Sequence, residues 1–262
     1  MDTTEKEIPA IEPRLKSLKA WNWSMFVLHA VQGGIMLGIS SNFALPVVSN
    51  FLKFNPATLK LAPVMETITH LRIGPLVAAF LFLSAAAHLA NALGFKWYSG
   101  NLMKGMNPSR WMEYALSSSL MIVVIAMLVG IYDIVSLMAL FGLNAMMILF
   151  GWMMELHNQT TPKTNWTAFW FGSLAGILPW IGIALYLFGS GDATHHAPTF
   201  VYWIYLSMFL FFNCFAINMV LQYKKVGPWR DYLYGERAYM ILSLVAKSLL
   251  AWQVFAGTLR PV

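Results

Sequence analysis

Lys247 stands alone among apolar residues, nine uncharged positions after Arg237 and twelve before Arg260. A lysine amine in such surroundings forms a Schiff base with a carbonyl compound, and an apolar pocket excludes the water that would hydrolyse it. The competing use is snorkelling, in which the stem carries the ammonium to an interface, and the two long intervals work against it. Ser243, one helical turn earlier, shares a face with Lys247 and is placed either to hydrogen-bond near the nitrogen or to bond back to its own helix. A cationic nitrogen in an apolar site needs an anion. Glu113 is the one carboxylate inside the apolar runs, whereas Asp133, Glu155 and Glu236 fall at run ends, where solvation or helix capping is expected. Arg110, three residues before Glu113, is a competing and shallower partner.

Distances along a helix from the nearest flanking base put four polar residues at similar depths. Glu113 after Lys104, Lys247 after Arg237, His29 after Lys19 and His88 before Lys96 all come to about 12–15 Å at 1.5 Å per residue. They are expected to share one layer. With Gln32 and Asn91 nearby in sequence, His29 and His88 suggest a small hydrated cavity. Lone, satisfied histidines are the plainer alternative, and a metal site lacks the close spacing that a helix-borne ligand pair needs.

The apolar runs imply the class of protein. Of 262 residues, 58% are hydrophobic and 11% charged, against roughly 45–50% and 25% in soluble domains. The net charge of +6 is scattered in ones and twos, which argues against a nucleic-acid partner. Cys214 is the only cysteine, so no intrachain disulfide forms. The N-terminal stretch mixes acids and bases without the apolar core of a secretory signal, and is expected to remain on the protein.

A membrane-crossing helix needs about 20 apolar residues. Seven stretches qualify, roughly 21–45, 73–95, 111–131, 134–154, 168–188, 200–221 and 238–259, and none shows the alternation of a barrel strand. The reading is one all-α domain over 1–262, a seven-helix bundle in the cell membrane. Asn107 and Pro108 resemble a helix cap and first helical position, and Ser49 to Arg72 reads as a short hairpin or a loose loop. Of the sixteen basic residues outside the spans, twelve fall on the N-terminal side and four on the other, so the N-terminus is expected in the cytoplasm and the C-terminus outside. In such a protein retinal is the membrane-soluble aldehyde that suits Lys247.

Several strings then act together: RWMEYALSSS around Glu113, FGLNAMMILFGW, PWIG at Pro179 to Gly182, FLFFN, and GERAYMILSLVAKS ending beside Lys247. From the first helix to the last the chain resembles the heliorhodopsins, rhodopsin-like proteins of inverted topology. The resemblance implies all-trans retinal on Lys247, Glu113 as counterion, and Ser243 near the Schiff base. It implies His29 and His88 in a cytoplasmic-side cavity, with Tyr114, Ser117, Met147, Trp170, Trp180 and Phe212 around the chromophore. It further implies a homodimer held through the first outer loop, and Pro108 departs from the family pattern. The expected function is light sensing without catalysis, through a signalling partner the sequence does not name. The third helix of proton pumps carries a carboxylate, a threonine and a second carboxylate where this chain has Glu113, Ser117 and Val124. A light-gated channel or transporter, and a light-regulated membrane enzyme or enzyme regulator, remain the alternatives.

Overall fold

The computed structural model describes residues 4–189 and 196–260. The chain begins in a long helix, α1 (Thr4–Ile39), which starts well before Trp21 and stops short of Leu45. At its end the Ser40 hydroxyl donates to the Met36 carbonyl at 2.5 Å, and the LPVV that follows, with two β-branched valines, enters a strand. Strands β1 (Ala44–Asn55) and β2 (Lys60–Arg72) pair antiparallel from Ala44 opposite Arg72 to Asn55 opposite Lys60, with one bulge at Val47 and Val48. The expected hairpin exists and is longer than Ser49 to Arg72, since its first strand takes residues assigned to the first span. Asn55 Oδ1 accepts the Ala57 N–H at 2.9 Å in the turn, and Lys53 pairs with Glu66 across the strands.

Six further long helices follow. They are α2 (Ile73–Leu93), α4 (Pro108–Leu128), α5 (Ile134–His157), α6 (Thr167–Gly189), α7 (Thr199–Tyr223) and α8 (Tyr232–Val254), the last continuing as one π-helical turn, Phe255–Leu259. All six are long and apolar enough to cross a membrane; α1, with its charged front, does not meet that measure. Between α2 and α4 lies a short helix that the hydropathy pattern does not reveal, α3 (Phe95–Leu102), whose Tyr98 and Leu102 are buried. Caps set several boundaries. Asn107 Oδ1 accepts the Arg110 N–H at 3.1 Å with Pro108 in the first turn, Asp133 accepts from Ser136 N at 2.9 Å, and Asp231 accepts from Leu233 N at 3.1 Å. The Asp231 cap starts α8 six residues before the expected 238.

α1 packs on α2, α2 on α4, α4 on α5, α5 on α6 and α7 on α8, while α8 returns to α1 and α2 and encloses α4. Apolar burial gives little drive inside hydrocarbon, so close packing and polar links must hold such a bundle. Gly151 shows the closeness: a Cβ there would sit 2.5 Å from the Trp111 ring, so α5 meets α4 only because the position is glycine. The two ends of the bundle differ. Towards the hairpin the interior is apolar, with Phe80, Ile122, Val124, Ile125, Leu250 and Val254 fully buried. Towards the other end it is rich in polar groups.

Candidate functional site

Two facing helices carry the polar interior. On α8, Glu236, Tyr239, Ser243 and Lys247 recur every three or four residues and form one stripe, and α4 presents Asn107, Arg110, Glu113 and Ser117 in the same way. Lys247 is 3% exposed, and its Nζ donates to Glu113 Oε1 at 2.7 Å and to Ser243 Oγ at 2.8 Å. Ser84 of α2 donates to the same carboxylate oxygen at 2.6 Å. The Lys247 ammonium lies 4.9 Å from the centre of the Tyr114 ring, and the Tyr114 hydroxyl donates to the Tyr239 carbonyl at 3.0 Å. Ser117 is fully buried beside Glu113. Ser243 therefore takes the first of its two expected roles, bonding to the amine.

His29 and His88 come together from α1 and α2, their rings stacked with centroids 5.8 Å apart. His88 Nδ1 is 2.9 Å from Asn22 Oδ1, while neither ring nitrogen of the fully buried His29 has a hydrogen-bond partner among the described residues. Both rings lie within electrostatic reach of the Lys247–Glu113 pair. The expected single layer of four groups is thus a contact pair with a histidine stack beside it.

Arg110 does not pair with Glu113. It turns the other way, to Glu155 at 2.5 Å and to Glu236, and its guanidinium is held between the rings of Trp111 and Tyr239, 4.4 and 4.0 Å from their centres. Glu155 also accepts from Trp111 Nε1 at 2.6 Å, Asn107 N at 2.9 Å and the Tyr232 hydroxyl at 3.2 Å, and Asn107 Nδ2 donates to Glu236 at 2.8 Å. At 2% and 1% exposed, Glu155 and Glu236 are not the solvated end-of-run carboxylates expected. Folding brings them to the cation across 45 and 126 residues of chain, a juxtaposition no local pattern discloses.

Beside the lysine lies an apolar cavity. A small space of about 40 Å³ touching Lys247, Ser243 and Ala246 shares Tyr114, Met147, Phe212 and Phe215 with a larger one of about 370 Å³, which Trp180 also lines. Gly176 leaves room for Met147, whose side chain would collide with any Cβ there. Trp170 is not part of the wall. It is 66% exposed, and Phe169 lines the cavity instead, because one residue turns a helix by about 100° and carries neighbouring rings to different sides.

Residues 18–259 match the heliorhodopsin family. The chain belongs to that family. It is accordingly a multi-pass membrane protein of the retinal-binding kind. No curated protein matches it. Among solved structures it is similar to a light-driven proton pump from Leptosphaeria maculans, at 14% identity and a TM-score of 0.64 over 91% of this chain and 94% of that one. Exiguobacterium sibiricum rhodopsin matches at 16% identity and 0.59 over 92% and 95%. The transmembrane domain of the Salpingoeca rosetta rhodopsin phosphodiesterase matches at 9% and 0.62 over 95% and 90%. At these identities the likeness is one of fold. In this heliorhodopsin, Ser84 and the Arg110 cluster are the site components that residue spacing does not single out: Ser84 is one serine of an apolar helix until α2 brings it to Glu113.

Proposed function

We propose that this heliorhodopsin is a light sensor that carries all-trans retinal on Lys247 as a Schiff base, with Glu113 as counterion, and that it signals rather than pumps ions. The observation that carries the reading is a buried amine, held 2.7 Å from a buried carboxylate, at the edge of a ring-lined apolar cavity. The residues present fit such a chromophore: the cavity walls are mostly apolar and aromatic, Ser173 and Asn213 aside, and the charged groups are confined to the end where the nitrogen lies. When bound, retinal supplies visible absorption and a light-driven double-bond isomerisation next to a positively charged nitrogen. Glu113 balances that charge, Ser84 and Ser243 hold the pair in place, and the Tyr114 ring faces it.

Among the described buried residues, a proton leaving the nitrogen has ionisable groups on one side only. Glu113 lies nearest, and His29, whose ring nitrogens have no hydrogen-bond partner among the described residues, lies on the same side. Towards the hairpin lie the neutral Ser118 and Ser119, both bonded to Asn144, and beyond them Val124, Met127, Leu250 and Val254, none of which ionises to take up a proton. This asymmetry favours return of the proton and a helix rearrangement as the output over net transport. The exposed bases Lys19, Lys96, Lys104, Lys163, Lys224, Lys225 and Arg230 occur in or beside the segments at the end away from the hairpin, which supports a cytoplasmic N-terminus with α1 as the seventh span. The signalling partner would then meet that face. Exposed Phe51, Leu52, Leu61 and Val64 of the hairpin are suited to a second copy of the chain.

The test is an absorption spectrum of purified protein after adding all-trans retinal. Wild type should develop a visible band, and Lys247→Ala should stay colourless while eluting as a folded species. A band retained in Lys247→Ala overturns the assignment.

A further inference from the structure

At the end of the bundle away from the hairpin, the short helix α3 divides its residues between two faces. Phe95, Tyr98 and Leu102 recur at helical spacing and pack with Leu18 and Met25 of α1 and with Leu233 and Met240 of α8. The opposite face carries Lys96, Trp97 and Gly100, with Met103 and Lys104 just past its end, and all five are exposed. Trp97 is 57% exposed, and Leu93, where α2 ends before the bend at Gly94, is 70% exposed. Lys19 of α1 joins this face: its Nζ lies 5.6 Å from the centre of the Phe95 ring, at the residue preceding Lys96. Among the described residues no carboxylate pairs with Lys19, Lys96 or Lys104, because Glu155 and Glu236 are taken by Arg110, and Asp231 by Arg14.

Two helices agree on the depth of this corner. The 21 residues of α2, Ile73 to Leu93, span about 30 Å, the thickness of the hydrocarbon core, which leaves α3 in the headgroup layer. Lys19 precedes the hairpin end of α1 at Ile39 by twenty residues, again about 30 Å. At that depth the lysines meet phosphates and the indole of Trp97 meets the first acyl carbons, the arrangement typical of residues that anchor a protein at the interface. An anionic phospholipid satisfies both kinds of side chain with one molecule. Phosphatidylcholine brings its own cation and leaves the lysines uncompensated, and a soluble acidic ligand leaves Trp97 and Leu93 without an apolar partner.

From this we infer that the corner between α1 and α3 is a binding site for an anionic phospholipid, with its phosphate between Lys19 and Lys96 and its upper acyl carbons against Trp97 and Leu93. Lys104 adds a third positive charge from the far end of α3. One lipid thereby clamps α3 to α1 from outside, where Tyr98 and Leu102 already hold it from within. The site does not depend on the retinal reading above.

The experiment titrates the purified chain in nonionic detergent with dioleoylphosphatidylglycerol or dioleoylphosphatidylcholine and counts bound lipid by native mass spectrometry. The glycerol lipid should bind roughly tenfold more tightly, and Lys19→Gln combined with Lys96→Gln should weaken it roughly twentyfold, about fivefold for each positive charge lost at a membrane surface. Arginine at both positions should preserve binding, and Trp97→Ala should weaken both lipids alike. Lys163→Gln combined with Lys224→Gln removes the same charge from other loops at this end and should leave binding unchanged, while gel filtration checks that every variant elutes as a folded species. Equal affinity for the two lipids overturns the proposal. So does an equal loss in the Lys163 and Lys224 variant, which would reveal only diffuse attraction. Displacement of the lipid by millimolar inorganic phosphate or by an acidic peptide would assign these lysines to a soluble ligand and overturn it as well.

Discussion

At the scale of single residues the proposed function turns on one amine and one carboxylate. Removing Glu113's charge leaves a buried cation without its anion, and breaking such a pair costs about 3–5 kcal/mol, where one pH unit corresponds to about 1.4. Glu113→Gln with retinal bound should therefore lose its visible band at a pH roughly two or more units lower than wild type. The protonated fraction should absorb further to the red, because a weaker counterion localises the charge less at the nitrogen. Alkaline titration of both proteins measures this, and identical curves at an unchanged wavelength would show that Glu113 is not the counterion. Lys247, Glu113 and Ser243 were legible because each is a rare type where it stands: an amine, an acid and a hydroxyl one turn from the amine, inside apolar runs. Trp170 and Phe169 differ by a single step of helix rotation, which aromatic content alone does not resolve, and the structure decides for Phe169.

At the scale of elements, Arg110 with Glu155 and Glu236 joins α4, α5 and α8 well away from Lys247. Arg110→Gln would strand two buried carboxylates, with a cost of about 3–5 kcal/mol expected for an uncompensated buried charge. Thermal unfolding in detergent should show a clear fall in melting temperature, partly recovered when Glu155→Gln and Glu236→Gln are added. An unchanged melting temperature for the single variant would show that the cluster does not hold these helices together. Hydropathy disclosed the long helices because a span is a statement about composition. It did not disclose where α1 yields to β1, nor α3, nor the start of α8 at Tyr232. The first and last of those boundaries depend on strand pairing and on the Asp231 cap, which act through particular atoms and leave mean apolarity unchanged.

Across the described residues, the buried ionisable groups gather in one half, and the other half is packed by apolar side chains with a few neutral polar ones. Illuminated cells containing the retinal-loaded pigment should show no sustained, uncoupler-sensitive pH change at an external electrode; a steady light-driven current would refute the sensor reading. A C-terminal tag should be cleaved by external protease in intact cells and an N-terminal tag should not, and the reverse pattern would invert the orientation inferred from the basic residues. The hairpin adds something different. Val48 N–H donates to the Tyr132 carbonyl at 2.9 Å, in the short turn that joins α4, the helix bearing Glu113, to α5, and Val48 also forms a parallel bridge with Asp133. The strands are thus stitched to the far tip of α4, the helix of the proposed counterion. A piston-like slide or tilt of α4 would swing them as a pointer, so that a fluorophore on exposed Thr58 at the hairpin tip would read, on the opposite face of the bundle, a displacement begun at Glu113.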